Sequence, residues 1–163
     1  MNTHTHSVTP LGQALGRVPS GLYILTVRQD DRATGMLASW VQQAGFEPPM
    51  VTVAVGTQRY VADWIANGGR CTLNQLPVGS KSLMKHFGRG FPPEADAFEG
   101  LELRDVDAAG PVLQDAFAYL DLAVVDEIRS GDHRVFLARV IAGAVLLPDS
   151  EPFLHVRANG THY

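Results

Sequence analysis

Cysteine is almost missing from this chain: Cys71 is the single example in 163 residues. That excludes an intrachain disulfide and a cysteine-rich metal centre, and it agrees with a reducing compartment. Long apolar runs are missing too, since nothing approaches the roughly 20 residues that a membrane-spanning helix requires. The opening residues, MNTHTHSVT, carry neither a basic start nor an apolar stretch, so a cytoplasmic location is expected and a secretory leader is not. Positive charge is not in excess: 13 Lys and Arg stand against 17 Asp and Glu, a net charge of -4, which argues against a nucleic-acid partner. No GxGxxG, Walker or nucleophile-elbow motif occurs, which removes the usual scaffolds of Rossmann dehydrogenases, P-loop ATPases and α/β-hydrolases. Internal repeats and long βαβ units are lacking as well, so a doubly wound parallel sheet is not expected.

What is present is an ordinary core-forming composition, 45% hydrophobic and 18% charged, enough for one domain over residues 11–163 behind a flexible tail at 1–10. LGQALGRV (11–18) places Leu11, Leu15 and Val18 at helical spacing, with Thr9 as cap and Pro10 at the first turn. LYILTV (22–27) and MLASWVQQA (36–44) read as the two strands of a hairpin. MVTVAV (50–55) alternates, with Val51, Val53 and Val55 on one side. Residues 60–67 shift to helical period through Val61, Trp64 and Ile65, and Gly68 and Gly69 supply the exit. CTLNQL (71–76) is a strand, Pro77 to Arg89 a helix, and the stretch to Pro111 a loop with one short strand near LELRD. FAYLDLAVVDEI (117–128), an SGD turn and HRVFLARVIAGAVLL (133–147) give two long strands, the second bent or bulged, and FLHVR (153–157) a last short one. A mainly antiparallel barrel with short helices over its openings satisfies this order.

Charge is unevenly placed. Lys81, Lys85, His86 and Arg89 are followed by Glu94, Asp96, Glu99, Glu102, Asp105 and Asp107. The cationic spot suits a small phosphate-bearing ligand, or else is a solvated helix face. Arg59, just before the helix that starts near Tyr60, could join a phosphate to free helix N–H groups, or else face solvent from a loop. His86, His133 and His155 lack the carboxylate spacing of a zinc or iron centre, so no metal is expected, and His4, His6 and His162 sit in tails.

In order along the chain, RVPSGLYILTV (17–27), GMLASWV (35–41), FEPPMVTVAV (46–55), CTLNQL (71–76), KHFGRGF (85–91) and GDHRVFLARV (131–140) resemble the flavin reductase-like family of FMN-binding split barrels. The likeness covers nearly everything after Pro10, and KHFGRGF is particularly similar to the flavin reductase-like module attached to some flavodiiron proteins. The resemblance implies a mainly β fold, an antiparallel FMN-binding split β-barrel, that forms a homodimer and holds FMN noncovalently, with FAD a lesser alternative. It implies NAD(P)H as hydride donor to flavin N5, and a possible redox partner protein that takes the electrons. The alternatives are a noncatalytic FMN-dependent sensor or interaction protein, or a split-barrel flavoenzyme acting directly on a small organic substrate.

The same resemblance assigns roles. Met36, Leu37 and Ala38 fall on the ring or ribityl side of the flavin and Ser39 on its ribityl or phosphate. Asn74, poor in strand propensity, becomes a ring or ribityl contact. His86 and Arg89 reach the phosphate, with Lys85 and Phe87 on the same stretch. His133, delivered by the Ser130-Gly131-Asp132 turn, lies near the flavin face where nicotinamide approaches, aligning it without exchanging a proton. The chain departs from the common family pattern at Ala138 and Arg139, where a glycine and often an acidic residue follow the strand's aromatic.

Overall fold

The computed structural model describes residues 8–161, so most of the expected tail, together with His4, His6 and His162, lies outside the described residues. Thr9 caps the first helix as expected, its Oγ1 accepting from the Gly12 N–H at 3.0 Å, and Pro10 opens α1 (Pro10–Gly16). The buried face of α1 is not the expected one. Gly12 and Gly16 are covered, while Leu11, Leu15 and Val18 are 66%, 42% and 65% exposed. The glycine side admits close approach by the C-terminal segment, with Gly160 N–H donating to the Gly12 carbonyl and Arg157 N–H to that of Gly16.

A two-residue strand, β1 (Ser20–Gly21), precedes the hairpin of β2 (Tyr23–Gln29) and β3 (Arg32–Ala38). The single strand expected over 36–44 is in fact two: pairing stops after Ala38 and resumes in β4 (Val41–Gly45). In β5 (Met50–Gly56) the predicted alternation holds, with Val51, Val53 and Val55 all buried. Helix α2 (Tyr60–Gly68) buries Val61, Trp64 and Ile65 as read and ends on a left-handed Gly69. Then come β6 (Arg70–Gln75) and α3 (Lys81–Phe87), the latter shorter than the 77–89 span because residues 77–80 form a turn in which Ser80 Oγ donates to the Pro77 carbonyl. The strand near LELRD is β7 (Leu103–Arg104), and it pairs with β8 (Val112–Leu113), which periodicity did not signal. Two long strands, β9 (Ala118–Ser130) and β10 (His133–Val145), form a hairpin whose turn relies on Gly131 at φ 59°. Register shifts at Leu137/Ala138 and Val140/Ala142 supply the expected bulges. The last strand, β11 (Leu154–His155), pairs with β1.

Seven strands make the main sheet in the order β3-β2-β6-β9-β10-β5-β4, every pairing antiparallel. Its edge strands, β3 and β4, are consecutive in the chain and joined only through Ser39 and Trp40. The sheet therefore curls until its edges meet, and the Trp40 carbonyl, accepting from the Ala54 N–H at 3.0 Å, extends the β4–β5 pairing up to the link. The barrel interior is filled by a cluster that includes Leu25, Val53, Ile65, Leu73, Leu122 and Phe136. A second cluster, around Leu22, Ile24, Leu83, Phe87 and Phe98, seats α3 and the loop after it.

Against the β2, β6 and β9 strands lies a buried polar ladder. Asn74 Nδ2 donates to the Pro111 carbonyl (3.1 Å) and its Oδ1 accepts from the Leu113 N–H (2.8 Å). Thr26 Oγ1 donates to the same Pro111 carbonyl at 2.8 Å. Asp121 accepts from Thr72 Oγ1, the Ala109 N–H and Arg70 Nη2 at 3.1, 2.9 and 2.6 Å. A Cβ on Gly110 would fall 2.5 Å from the Thr26 carbonyl oxygen, so glycine is required for the 109–113 segment to lie this close. No helix among the described residues is long and apolar enough to cross a membrane.

Candidate functional site

A pocket of about 390 Å³ opens at the seam. Met36, Leu37, Ala38 and Ser39 enter it from the end of β3, Ala54 and Gly56 from β5, and Gln58 and Arg59 from the loop before α2. His133 enters from the start of β10 because the hairpin register sets it opposite Gly56. Six of the eleven residues assigned from the sequence thus converge: Met36, Leu37, Ala38, Ser39, Arg59 and His133.

Arg59 is the N-cap residue of α2 and is exposed. Its Nη1 donates to the Arg89 carbonyl at 3.4 Å, and the neighbouring Tyr60 hydroxyl donates to the Phe91 carbonyl at 2.8 Å. These contacts bring the 89–91 loop beside the helix N-terminus, where a guanidinium and unpaired helix N–H groups can meet an anion.

The hairpin turn is fixed from outside the hairpin. The Asp132 carbonyl accepts from both the N–H and Oγ1 of Thr57, at 2.8 and 3.0 Å. Asp132 Oδ1 lies 2.6 Å from His133 Nδ1, and this hydrogen bond holds the Asp132 carboxyl below its ordinary range. One residue on, Arg134 is held between Glu127 and Asp63 of α2 and lies over the Phe136 ring. Strand β10 is thereby braced against the helix that carries Arg59.

The other assigned residues do not reach the pocket. Asn74 is fully buried and its amide is spent on the ladder that holds the 109–113 segment, so its polar group compensates for a central strand position and does not line the cavity. Phe87 is 1% exposed and packs on Phe91 and Phe98. His86 Nε2 pairs with the Ala97 carbonyl at 2.8 Å. Lys85 and Arg89 are exposed and outside the lining. From α3 and its end, Met84 and Gly88 line the cavity instead.

Sequence reasoning also missed Leu22, Asp132 and His155. Asp132 was visible as a turn residue. His155 carried no local signal, because only the pairing of β11 with β1 brings it to the wall. Burial, aided by the charge of Arg157, lowers the pKa of His155 and favours its neutral form. The described residues contain no cluster able to hold a metal ion.

The donor set suits a ligand with a flat apolar body and an anionic end. Apolar side chains from β3 and β5 give the body a wall, Ser39 and His133 give it polar edges, and Arg59 gives the anion a partner. FMN has that composition, and the residues present fit it.

The family described as "Flavin reductase like domain" matches residues 15–161. A putative diflavin flavoprotein A 6 from Nostoc sp. is 39% identical over 164 residues, covering 100% of this chain and 29% of the relative. Diflavin flavoprotein A 1 from Synechocystis sp. is 39% identical over 154 residues, covering 94% and 27%. The chain thus spans under a third of the length of these curated relatives. Among solved structures, the NADH:FAD oxidoreductase SgcE6 of Streptomyces globisporus C-1027 superposes with a TM-score of 0.83 at 25% identity, covering 93% of each chain.

The ladder gives a test of the Asn74 placement. Asn74→Ala strips partners from the Leu113 N–H and the Pro111 carbonyl, and should lower the unfolding free energy by about 2–3 kcal/mol in urea titrations while leaving the ligand affinity of the folded protein unchanged. Unchanged stability with weakened ligand binding would return Asn74 to the site.

Proposed function

The chain belongs to the flavin reductase like domain family, and from that premise we propose that it is an NAD(P)H-dependent flavin reductase that holds FMN noncovalently in the seam pocket and feeds electrons onward. The observation that carries this reading is the convergence of Met36–Ser39, Arg59 and His133, from three separate parts of the chain, on one cavity. When bound, FMN supplies an acceptor at N5 for a hydride from the nicotinamide. The protein's part is to bind, orient and exclude water. Met36, Leu37 and Ala38 would flank the ring and Ser39 would hold ribityl or phosphate oxygens. Arg59 and the N-terminus of α2 would neutralise the phosphate. His133 would form a polar wall where the nicotinamide enters, and since hydride transfer depends on alignment, it need not exchange a proton. The name of the Streptomyces relative, an NADH:FAD oxidoreductase, supports a nicotinamide donor and keeps FAD as an alternative. The diflavin flavoproteins, of which this chain covers a quarter to a third, support a redox partner protein as electron acceptor.

We also propose a homodimer. The first part of β10 pairs on both sides, with β5 and β9, and the Val140 N–H still donates to the Pro49 carbonyl, but beyond Val140 it pairs with β9 alone. Ile141 and Val145 on that free-edged length are 45% and 58% exposed. An apolar strand with one open edge is an association hazard unless it is covered, and a second copy would cover it.

Anaerobic stopped-flow mixing of FMN-loaded protein with NADH and with NADPH should bleach the oxidised flavin band much faster than free FMN for at least one nucleotide. His133→Ala, kept saturated with FMN, should slow it, and bleaching no faster than that of free FMN would remove the nicotinamide reading. Loss of one charge-assisted phosphate contact is worth roughly 1.5–3 kcal/mol, so Arg59→Ala should weaken FMN about 10- to 100-fold and riboflavin far less. Equal losses for the two ligands would mean that Arg59 acts through folding. Light scattering of the flavin-loaded protein should give twice the chain mass, and a flavin-loaded monomer would exclude the dimer.

A further inference from the structure

Trp40, in the two-residue link that closes the barrel, is not among the residues that line the pocket but lies against one that does. Its indole lies against the His133 imidazole, ring centroids 4.6 Å apart and planes inclined at 43°. The Arg157 guanidinium carbon stands 5.2 Å from the indole centroid, so the C-terminal segment also bears on this ring. At the imidazole edge, Nδ1 is 2.6 Å from Asp132 Oδ1, and Asp132 itself is anchored by its carbonyl to Thr57. A carboxylate can only accept, so Nδ1 carries the proton, and in the neutral ring Nε2 is left with a lone pair. His133 is 15% exposed at its side chain and lines the cavity.

We infer that Trp40 and Asp132 are positioning residues: the indole face fixes the plane of His133 and the carboxylate fixes its tautomer, so that Nε2 accepts a hydrogen bond from an amide-type N–H of the bound ligand. This rests on the flavin reductase reading for its two sources of that N–H, the imide of the flavin ring and the carboxamide of the nicotinamide. Stacking without the carboxylate would leave the tautomer free, and the carboxylate without stacking would let the ring swing about its hydrogen bond. Together they leave one orientation and one polarity, in keeping with ligands that must be aligned and not deprotonated.

The test combines ring spectroscopy with ligand binding. In flavin-loaded, 15N-labelled wild type, His133 should show the Nδ1–H tautomer and nuclear Overhauser contacts to the Trp40 indole protons. Trp40→Phe should leave the ring signals as in wild type, Trp40→Leu should keep the Nδ1–H tautomer but broaden the imidazole signals as the ring plane is released, and Asp132→Ala should lose the Nδ1–H tautomer. Trp40→Leu and His133→Ala should each weaken the same ligand about 10-fold, the size of one hydrogen bond, and the double variant should be no worse than either. A loss in flavin Kd assigns the imide; a loss in nicotinamide KM at unchanged flavin Kd assigns the carboxamide. Additive losses, no effect of His133→Ala on either ligand, or a Trp40→Leu ring spectrum identical to wild type would overturn the inference. So would the absence of indole-to-imidazole contacts in wild type, a readout that stands even if Trp40→Leu fails to fold. If wild type binds flavin but neither nucleotide reduces it, the reductase reading fails by itself, and the flavin arm and the ring spectrum still decide the role of Trp40.

Discussion

The link between Ala38 and Val41 is the constraint on which the rest of the molecule turns. In a flat sheet of seven strands the two edges would lie about 29 Å apart, six spacings of roughly 4.8 Å. The peptide chain from Ala38 to Val41 reaches only about 10 Å at full extension. Because β3 and β4 are those edges, no flat arrangement satisfies the covalent chain, and the sheet must close. The closure is covalent and not hydrogen-bonded, so it leaves a seam in the wall. The pocket lies at that seam, and Ser39, one of the two linking residues, lines it. Trp40, the other, stacks on the histidine of the facing hairpin.

A second constraint acts on the opposite side of the strands. The stretch from Gly88 to Phe117 holds only two short strands of two residues each, and such a segment cannot be held by a ladder of its own. Thr26, Thr72, Asn74 and Asp121, all buried, reach out from β2, β6 and β9 to its backbone. Each of these polar groups is costly to bury alone, and the cost is offset because the network is mutually satisfied. Underneath, Phe87 and Phe98 pack together and seat α3. The end of α3 then contributes Met84 and Gly88 to the pocket. The residues that hold the long loop thus have their effect on the site at a distance.

The site itself joins parts of the chain that are far apart in sequence. Its apolar wall comes from one hairpin, its cation from the start of α2, and its imidazole from another hairpin, while Arg134 ties that hairpin to α2 through Asp63. Three histidines have three different fates. His133 is oriented by a carboxylate and an indole, His86 is consumed by the Ala97 carbonyl, and His155 is brought to the wall by a two-residue sheet.

Local pattern determined the elements whose cause is local. Alternation in MVTVAV, the helical face of Val61, Trp64 and Ile65, the Thr9–Pro10 cap and the Gly131 turn all need only near neighbours, and each is found where it was read. The ordered family pieces also marked the pocket's β3 wall, Arg59 and His133. Tertiary structure alone decided the break at Ser39 and Trp40, because a strand cannot lie on both edges of one sheet. It alone turned Leu11, Leu15 and Val18 outward, since the helix face that is buried depends on what packs there. It took Asn74 out of the pocket and brought His155 into it, because whether a polar side chain meets a ligand or a backbone carbonyl depends on a partner segment tens of residues away, and no spacing within a single strand records that distance.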